Sequence, residues 1–430
     1  MRSRDLMRKE LAELRASRAF WLLLIAIGLL EGQSFITAVR AYAEASGIGG
    51  GPAALAQGLS PLDGIVVPSF GAYDLAITLL FPFVVIRLIA SEKATGALQL
   101  MVQWPASLAR QMFVKAITLL LAWLVSLIPL LLALVLWRIY GGHLDFSETA
   151  NVFLGYTLRF LFTASLAALA AAAMPGAANA AIVVLAFTIA TWALDFVAAG
   201  RGGWIERVAA FTPAAILRSF EQGLLRADVV LVALIVTLAL FACATIALDA
   251  ARARVVRTSI VIVIALVIIA GAMQLRASAD LSENRRNSFA PADEQRLASI
   301  AAPLRVTVFL AAEDPRMRDF ASNVLIKLRR SMRALDVRYP LAGRSGLFEN
   351  DQRYGEIVYD LGGKRSISRS TTEEIVLDTI YSLAGLVRGE SAPSDYPGYP
   401  LAKTPRGAEL VFYLLWPALV AAAYLLSSRA

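Results

Sequence analysis

The sequence has few of the residues from which catalytic sites and disulfide scaffolds are built. Its 430 residues include one cysteine, Cys243, and one histidine, His143. A single cysteine excludes an internal disulfide, and neither residue type is numerous enough for a thiolate- or imidazole-based metal site. A serine–histidine–aspartate triad would have to use His143. The segment at 362–366, Gly-Gly-Lys-Arg-Ser, lacks the spacing of a phosphate-binding loop. We therefore expect this chain to be no enzyme, with no bound cofactor and no metal.

Charge is also scarce, and it is unevenly distributed. Only 17% of the residues are charged and 58% are apolar, with a mean hydropathy of +0.63, whereas soluble domains carry about 25% charged residues. Nearly half of the charges, 19 basic and 17 acidic, lie between residues 277 and 407. This pattern predicts a membrane protein with one water-soluble insert. The net charge of +8 comes from basic residues at the ends of apolar runs, so we expect lipid and no nucleic acid as partner.

Eight apolar runs are long enough to cross a hydrocarbon core, which takes about 20 residues. We therefore predict an all-α polytopic fold of about eight transmembrane helices, with a small α/β domain between the last two. The runs are Phe20–Val39, Ala72–Ala90, Ala116–Trp137, Val152–Ala173, Ala177–Ala198, Val229–Leu248, Ser259–Leu275 and Ala408–Leu426.

Basic residues set the expected orientation. With the N-terminus in the cytoplasm, 13 Lys and Arg residues of short loops and termini lie inside and six outside, as the positive-inside rule requires. Both termini are then cytoplasmic, residues 277–407 are extracytoplasmic, and the bacterial inner membrane is the expected location. Residues 1–18 form an amphipathic stripe, Leu6, Met7, Leu11 and Leu14, that indicates either an interfacial helix or an ordinary charged leader.

Two ionisable residues fall well inside the predicted spans. Glu31 and Arg159 lie at similar depth, about 10–14 Å from the outer ends of the first and fourth runs at 1.5 Å per residue. Three interpretations remain open: a neutralising pair, a role along a transport route, or no contact at all. We expect Arg87 to extend to the cytoplasmic surface and Asp74 to lie at a span end.

The loop between the second and third runs contains a short apolar helix, predicted for Ala97–Trp104 and ended by Pro105. An apolar helix that projects into the cytoplasm requires a partner or lies on the bilayer. This loop resembles the coupling segment of permeases of the type-2 ABC exporter family, E-x-x-x-G-[ST]-L-x-L-x-x-x-x-P-[VIA]-[ST] followed by a basic residue and a lysine. Ala97 replaces the usual serine or threonine. The matching positions that the resemblance assigns to ATPase coupling are Glu92, Gly96, Leu98, Leu100, Pro105, Arg110 and Lys115.

Two other segments are similar to parts of that family. The basic leader that runs into Phe20 and Trp21 resembles its connecting helix, and Phe211–Leu224 resembles its half-inserted outer hairpin. The resemblance covers about residues 1–250. It implies a membrane subunit that transmits ATP hydrolysis by a separate ATPase subunit, which holds ATP and magnesium, and that pairs with a second permease as a homodimer or heterodimer.

The remainder resembles the outer domain of gliding-motility-associated ABC transporter auxiliary components. The resemblance rests on Asp280–Arg285, Ser288–Pro291, a strand from Leu304 and the segment Tyr354–Tyr359. From hydrophobic periodicity we predict strands at 304–311, 335–340, 356–361 and 364–369, and helices at 315–334 and 371–388.

These observations predict five segments and one leading function. The segments are an interfacial helix (1–18), a six-span unit with a coupling helix at about 92–115 (19–250), a seventh helix (251–276), an extracytoplasmic α/β domain (277–407) and an eighth helix with a cytoplasmic end (408–430).

The leading function is the permease subunit of an ABC transporter, most simply an exporter. The alternatives are a non-transporting scaffold or sensor that binds a partner in the envelope, and a gradient-driven secondary transporter. The last would usually show broken spans in symmetric positions, which the sequence lacks.

Overall fold

The computed structural model describes residues 3–48, 58–97, 107–198, 203–249, 253–275, 277–311, 314–341, 352–387, 396–401, 403 and 405–427. These residues are mostly helical, with one small region of sheet. Their contacts divide the chain into two units. The first contains residues 1–189, 227–275 and 397–430, and the second contains residues 190–226 and 276–396.

Eight helices in the described residues are long and apolar enough to cross a membrane, which confirms the predicted number. An amphipathic helix, α1 (Ser3–Ala16), precedes them. The eight are α2 (Arg18–Ala45), α3 (Leu62–Ala94), α4 (Leu108–Ile139), α5 (Phe146–Ala173), α6 (Ala177–Ala198), α9 (Ala227–Leu248), α10 (Arg254–Ala272) and α14 (Ala408–Ser427). The short helices α7 (Gly203–Ala209) and α8 (Pro213–Glu221) lie between α6 and α9.

Two spans begin eight or more residues before the positions that hydropathy predicts. Helix α3 starts at Leu62 with one π-helical turn, ten residues before the predicted start. Asp63, Pro68 and Ser69 lower the mean hydropathy of these first turns, although the turns pack inside the unit. Helix α4 starts at Leu108, where the side chain of Ser107 accepts a hydrogen bond from the backbone N–H of Arg110. This helix is interrupted at Leu127 and resumes before Pro129.

The helices of the first unit pack in a chain of neighbours: α2 on α3, α3 on α5, and α5 on α9, with α14 on α2. The last contact is a close one. Gly28 and Gly32 lie one turn apart on α2, and a Cβ atom at either would overlap an aromatic ring of α14, Trp416 or Phe412. Two glycines at this spacing allow helices to approach closely in a membrane. The indole Nε1 of Trp416 donates to the carbonyl of Leu24 at 2.8 Å.

The second unit contains a four-stranded sheet in the order β4-β3-β5-β6. Strands β3 (Leu304–Val308) and β4 (Leu335–Arg338) are parallel, and β3, β5 (Ile357–Leu361) and β6 (Lys364–Ser368) pair antiparallel. Three helical segments contribute to the core on one face of the sheet: α11 (Pro291–Ser299), α12 (residues 315–331) and α13 (Glu373–Ala384). The predicted strands and helices are therefore confirmed, each somewhat shorter than predicted.

A short strand pair belongs to the same unit. Strand β1 (Leu224–Arg226), directly after α8, pairs antiparallel with β2 (Ser278–Asp280), so that Leu224 lies opposite Asp280. The backbone N–H of Leu281 donates to the carbonyl of Gly223 at 2.8 Å. The predicted boundaries assign residues 190–226 to the six-span unit, whereas their contacts are with residues 276–396.

Candidate functional site

The described residues bring together a cluster of charges from three helices that the sequence separates. Glu92 lies in the last turn of α3, and Lys115 lies about two turns after the start of α4. The Nζ atom of Lys115 donates to Oε1 of Glu92 at 2.9 Å and to Oε2 of Glu10 on α1 at 2.7 Å. Both ends of the predicted coupling segment are therefore joined to each other and to the amphipathic N-terminal helix.

A second ammonium group completes this cluster. The Nζ atom of Lys9 lies 2.6 Å from Oε1 of Glu92, 3.4 Å from Glu10 and 3.2 Å from Glu13. Burial alone would lower the pKa of Lys9, but the hydrogen bond to Glu92 and the negative charges of Glu10, Glu92 and Glu13 outweigh it and raise the pKa. Lys9 therefore remains charged at physiological pH. We call Lys9, Glu10, Glu13, Glu92 and Lys115 the charge cluster.

Three members of the charge cluster are buried, whereas the side chains of Lys9 and Glu13 are 28% and 36% exposed. Glu10 is 0% exposed, and Glu92 and Lys115 are each 4% exposed. Removal of one partner from a buried ion pair costs about 3–5 kcal/mol, because the remaining charge has neither water nor a counter-charge. The acidic oxygens of Glu10, Glu13 and Glu92 lie within 4.8 Å of one another. The two lysines pair with all three carboxylates and balance the charge of two of them, so the arrangement is that of an ion-pair network.

Hydrophobic packing holds α1 in this position. Leu6, Glu10 and Leu14 recur every four residues on its buried face, and Leu6 packs against Val114 of α4. The hydroxyl of Thr118, one turn further along α4, lies 3.5 Å from the sulfur of Met7. The interfacial-helix interpretation predicts the apolar stripe correctly but does not identify Glu10. A carboxylate between Leu6 and Leu14 at a spacing of four is the signal that could have identified it.

Lys93 is a further residue that sequence reasoning missed. Its Nζ atom donates to the carbonyl oxygens of Ala171 (3.0 Å), Ala172 (2.9 Å) and Met174 (2.7 Å). These carbonyls lie at the C-terminal end of α5, where backbone oxygens lack helical partners and the helix dipole favours a cation. The end of α3 is therefore connected to the turn between α5 and α6 as well as to the charge cluster.

The coupling segment between Glu92 and Lys115 is described only at its ends. Gly96 has φ +72°, a left-handed conformation that a glycine adopts without steric cost. It follows Thr95, the residue that caps the C-terminal end of α3. Arg110 lies in the first turn of α4. Leu98, Leu100, Pro105 and most of the helix predicted for Ala97–Trp104 lie outside the described residues.

Of the three interpretations of Glu31 and Arg159, the neutralising pair is not observed, because the structure shows no hydrogen bond or ion pair between these two residues. Arg159 donates through Nε to Oδ1 of Asp74 at 3.3 Å, and Asp74 also accepts from the hydroxyl of Thr78 at 3.2 Å. Because α3 begins at Leu62, Asp74 lies inside the helix, on a neighbour of α5, and not at a span end. Glu31 is 0% exposed, and both its carboxylate oxygens lack a hydrogen-bond partner among the described residues.

Comparison of this chain with protein-family models, with curated proteins and with solved structures finds no match.

Proposed function

We propose that this chain is the membrane-spanning permease subunit of an ATP-binding cassette transporter, and that a separate ATPase subunit drives it through the segment between Glu92 and Lys115. The charge cluster is the observation that carries this proposal. A coupling element has to pass a displacement to the membrane helices, and a buried ion-pair network transmits force because its partners cannot separate without a large energetic cost.

Three contacts connect the segment between Glu92 and Lys115 to the membrane helices. Lys115 and Lys9 connect the start of α4 and the N-terminal helix to Glu92, and Lys93 connects the adjacent residue of α3 to the end of α5. A movement of the segment would therefore reach α1, α3, α4 and α5 together. Gly96 supplies a turn directly after α3, from which the predicted apolar helix would extend toward the ATPase.

The remaining features of the proposal follow from the sequence. The chain would lie in the bacterial inner membrane with both termini in the cytoplasm, and it would function with a second permease copy or a related subunit. Residues 277–407 would form an extracytoplasmic domain of the gliding-motility auxiliary type. The ATPase subunit would bind ATP and magnesium, and this chain would contribute no catalytic residue.

Two matched glycine variants test the proposal. Gly96 and Gly141 both have positive φ (+72° and +86°), both follow a membrane-length helix, and neither has an atom within 4 Å of a Cβ position. Proline fixes φ near −65°, so each substitution disrupts one turn, Gly96→Pro at the coupling segment and Gly141→Pro at the other end of α4. The tagged full-length chain would be purified from membranes of its own cells, and co-purifying proteins would be identified by mass spectrometry.

We expect an ABC ATPase to co-purify with the wild-type chain and with Gly141→Pro, and to be lost with Gly96→Pro. Substrate-independent ATP hydrolysis in the purified sample should follow the same order. If no ATPase co-purifies with the wild-type chain, or if Gly96→Pro retains it as well as Gly141→Pro does, the proposal is wrong.

A further inference from the structure

A cavity of about 410 Å³ lies between the end of α3 and the start of α6. Its α3 wall includes Phe83, Ile86 and Ala90, and its α6 wall is made of small residues such as Gly176 and Ala178. The surface is almost entirely apolar. Among the described residues that line it, Arg87 on the α3 wall is the only charged one.

Lys93 links the end of α3 to the turn that leads into the opposite wall of the cavity. The three hydrogen bonds from Lys93 hold the end of α5 and Met174 against the end of α3 at distances of 2.7–3.0 Å. Pro175 and Gly176 then reverse the chain into α6. The cavity therefore lies beside a hydrogen-bonded connection between the end of α3 and the α5–α6 turn.

Two positively charged or positively polarised groups, the side chain of Arg87 and the first turn of α6, line this apolar cavity. Arg87 is exposed, and it forms no hydrogen bond or ion pair with any residue in the part of the chain that the structure describes. The first turn of α6 also lines the cavity, through Ala177 and Ala178. Its backbone N–H groups have no partner within the helix, and they carry the positive end of the helix dipole. A negatively charged group with an apolar body complements such a site.

The depth of Arg87 identifies the kind of ligand. Helix α3 has 33 residues, and at 1.5 Å per residue it is about 50 Å long, about 20 Å more than the hydrocarbon core of a bilayer. If the excess is shared between its two ends, Arg87, seven residues before Ala94, lies at about the boundary between head groups and acyl chains. Phe83 and Ile86 lie further into the hydrocarbon.

We propose that this cavity binds an anionic phospholipid, with its acyl chain along Phe83 and Ile86 and its phosphate at Arg87 and the first turn of α6. Basic pockets between transmembrane helices on the cytoplasmic side are suited to lipid head groups of this charge. The lipid would occupy the space between α3 and the α5–α6 turn, next to the coupling segment. The inference rests on the membrane placement in the proposed function, and it does not depend on the ATPase.

The test is native mass spectrometry of the purified full-length chain in detergent, titrated separately with phosphatidylglycerol and phosphatidylcholine of the same acyl composition. We expect the wild-type chain to retain phosphatidylglycerol at least tenfold better than phosphatidylcholine. Arg87→Gln should abolish that preference. Arg138→Gln removes an equal charge from an exposed arginine at the other end of α4, and it should leave the preference unchanged.

A second variant keeps the charge and removes the space. Ala178→Trp places a large ring in the cavity, and it should displace both lipids while Arg87 remains. Equal retention of the two lipids by the wild-type chain, retention of the preference in Arg87→Gln, or unchanged binding in Ala178→Trp would each overturn the proposal. A chain that prefers phosphatidylglycerol but recruits no ATPase would contradict the proposed function alone.

Discussion

The ammonium group of Lys115 lies 2.9 Å from the carboxylate of Glu92, although the two residues are 23 positions apart in the sequence. This ion pair closes the base of the segment between α3 and α4. The side chains of Lys115 and Glu92 are each 5% exposed. Glu10, on a third helix, also forms an ion pair with Lys115. The segment therefore begins and ends at a single buried point, which is the simplest arrangement by which a force on the segment could reach several helices.

Lys115→Met should destabilise the chain by about 3–5 kcal/mol, because Glu10 and Glu92 would remain buried with one ammonium group fewer. Thermal unfolding of the purified chain in detergent measures the effect. Lys364→Met, at an exposed position of β6, is the matched control and should change the free energy of unfolding by less than about 0.5 kcal/mol. The double variant with Glu92→Gln should lose less than the sum of the two single variants. Additive losses would show that the two residues do not interact.

Arg159 and Asp74 should tolerate an exchange of charge but not the loss of either charge. Asp74→Asn leaves the buried Arg159 without its charged partner, and Arg159→Met leaves the partly exposed Asp74 without its own. Each should lower the thermal midpoint. The exchanged pair, Asp74→Arg with Arg159→Asp, should recover part of that loss. If the exchanged pair is as unstable as the worse single variant, the ion pair is not a determinant of helix packing.

Glu31 should respond in the opposite direction. Its carboxylate is fully buried and accepts no hydrogen bond from the described residues, and burial of an unsatisfied polar group costs about 1–3 kcal/mol. Glu31→Gln and Glu31→Leu should therefore raise the thermal midpoint or leave it unchanged. A marked loss of stability in Glu31→Leu would mean that Glu31 has a partner outside the described residues.

The close approach of α2 and α14 should make Gly28 intolerant of any side chain. Gly28→Ala would force Trp416 away and break its 2.8 Å hydrogen bond to the carbonyl of Leu24. Gly71→Ala is the control, because Gly71 is also helical and a Cβ atom there meets nothing within 4 Å. Alanine is favoured over glycine within a helix by about 1 kcal/mol, so Gly71→Ala should not destabilise. Equal stability of the two variants would contradict the packing of α14 on α2.

The features that the sequence predicts correctly are those set by residues close together in the chain. The eight apolar helices follow from hydropathy, and the α/β order of the second unit follows from periodicity, because both depend on neighbouring residues. The partner of Arg159 does not, because it requires the true start of α3, and Asp63 lowers the hydropathy of the first turns of this helix. Sequence alone also cannot show that Lys9 meets Glu92 or that Glu10 meets Lys115, since the approach of α1 to α4 depends on side-chain packing at Leu6 and Val114.

Asp280 should make the stability of the second unit sensitive to acid. Burial alone would raise the pKa of Asp280, but hydrogen bonds from the hydroxyls of Ser282 and Ser288 and from Asn287 outweigh it, and they lower the pKa below its ordinary value of 3.8. A carboxylate with a lowered folded-state pKa stabilises the fold above its unfolded-state pKa, and this contribution is lost as the pH falls through the folded-state value.

Asp280→Asn should therefore unfold more readily than the wild-type chain at pH 7, by about 1–3 kcal/mol, and the difference should shrink below about pH 4. Asp336→Asn, whose side chain is 51% exposed beside Arg305, serves as the control and should change little at either pH, because exposed ion pairs contribute at most about 1 kcal/mol. A difference for Asp280→Asn that stays constant between pH 7 and pH 3 would mean that the effect comes from packing and not from the charge of the carboxylate.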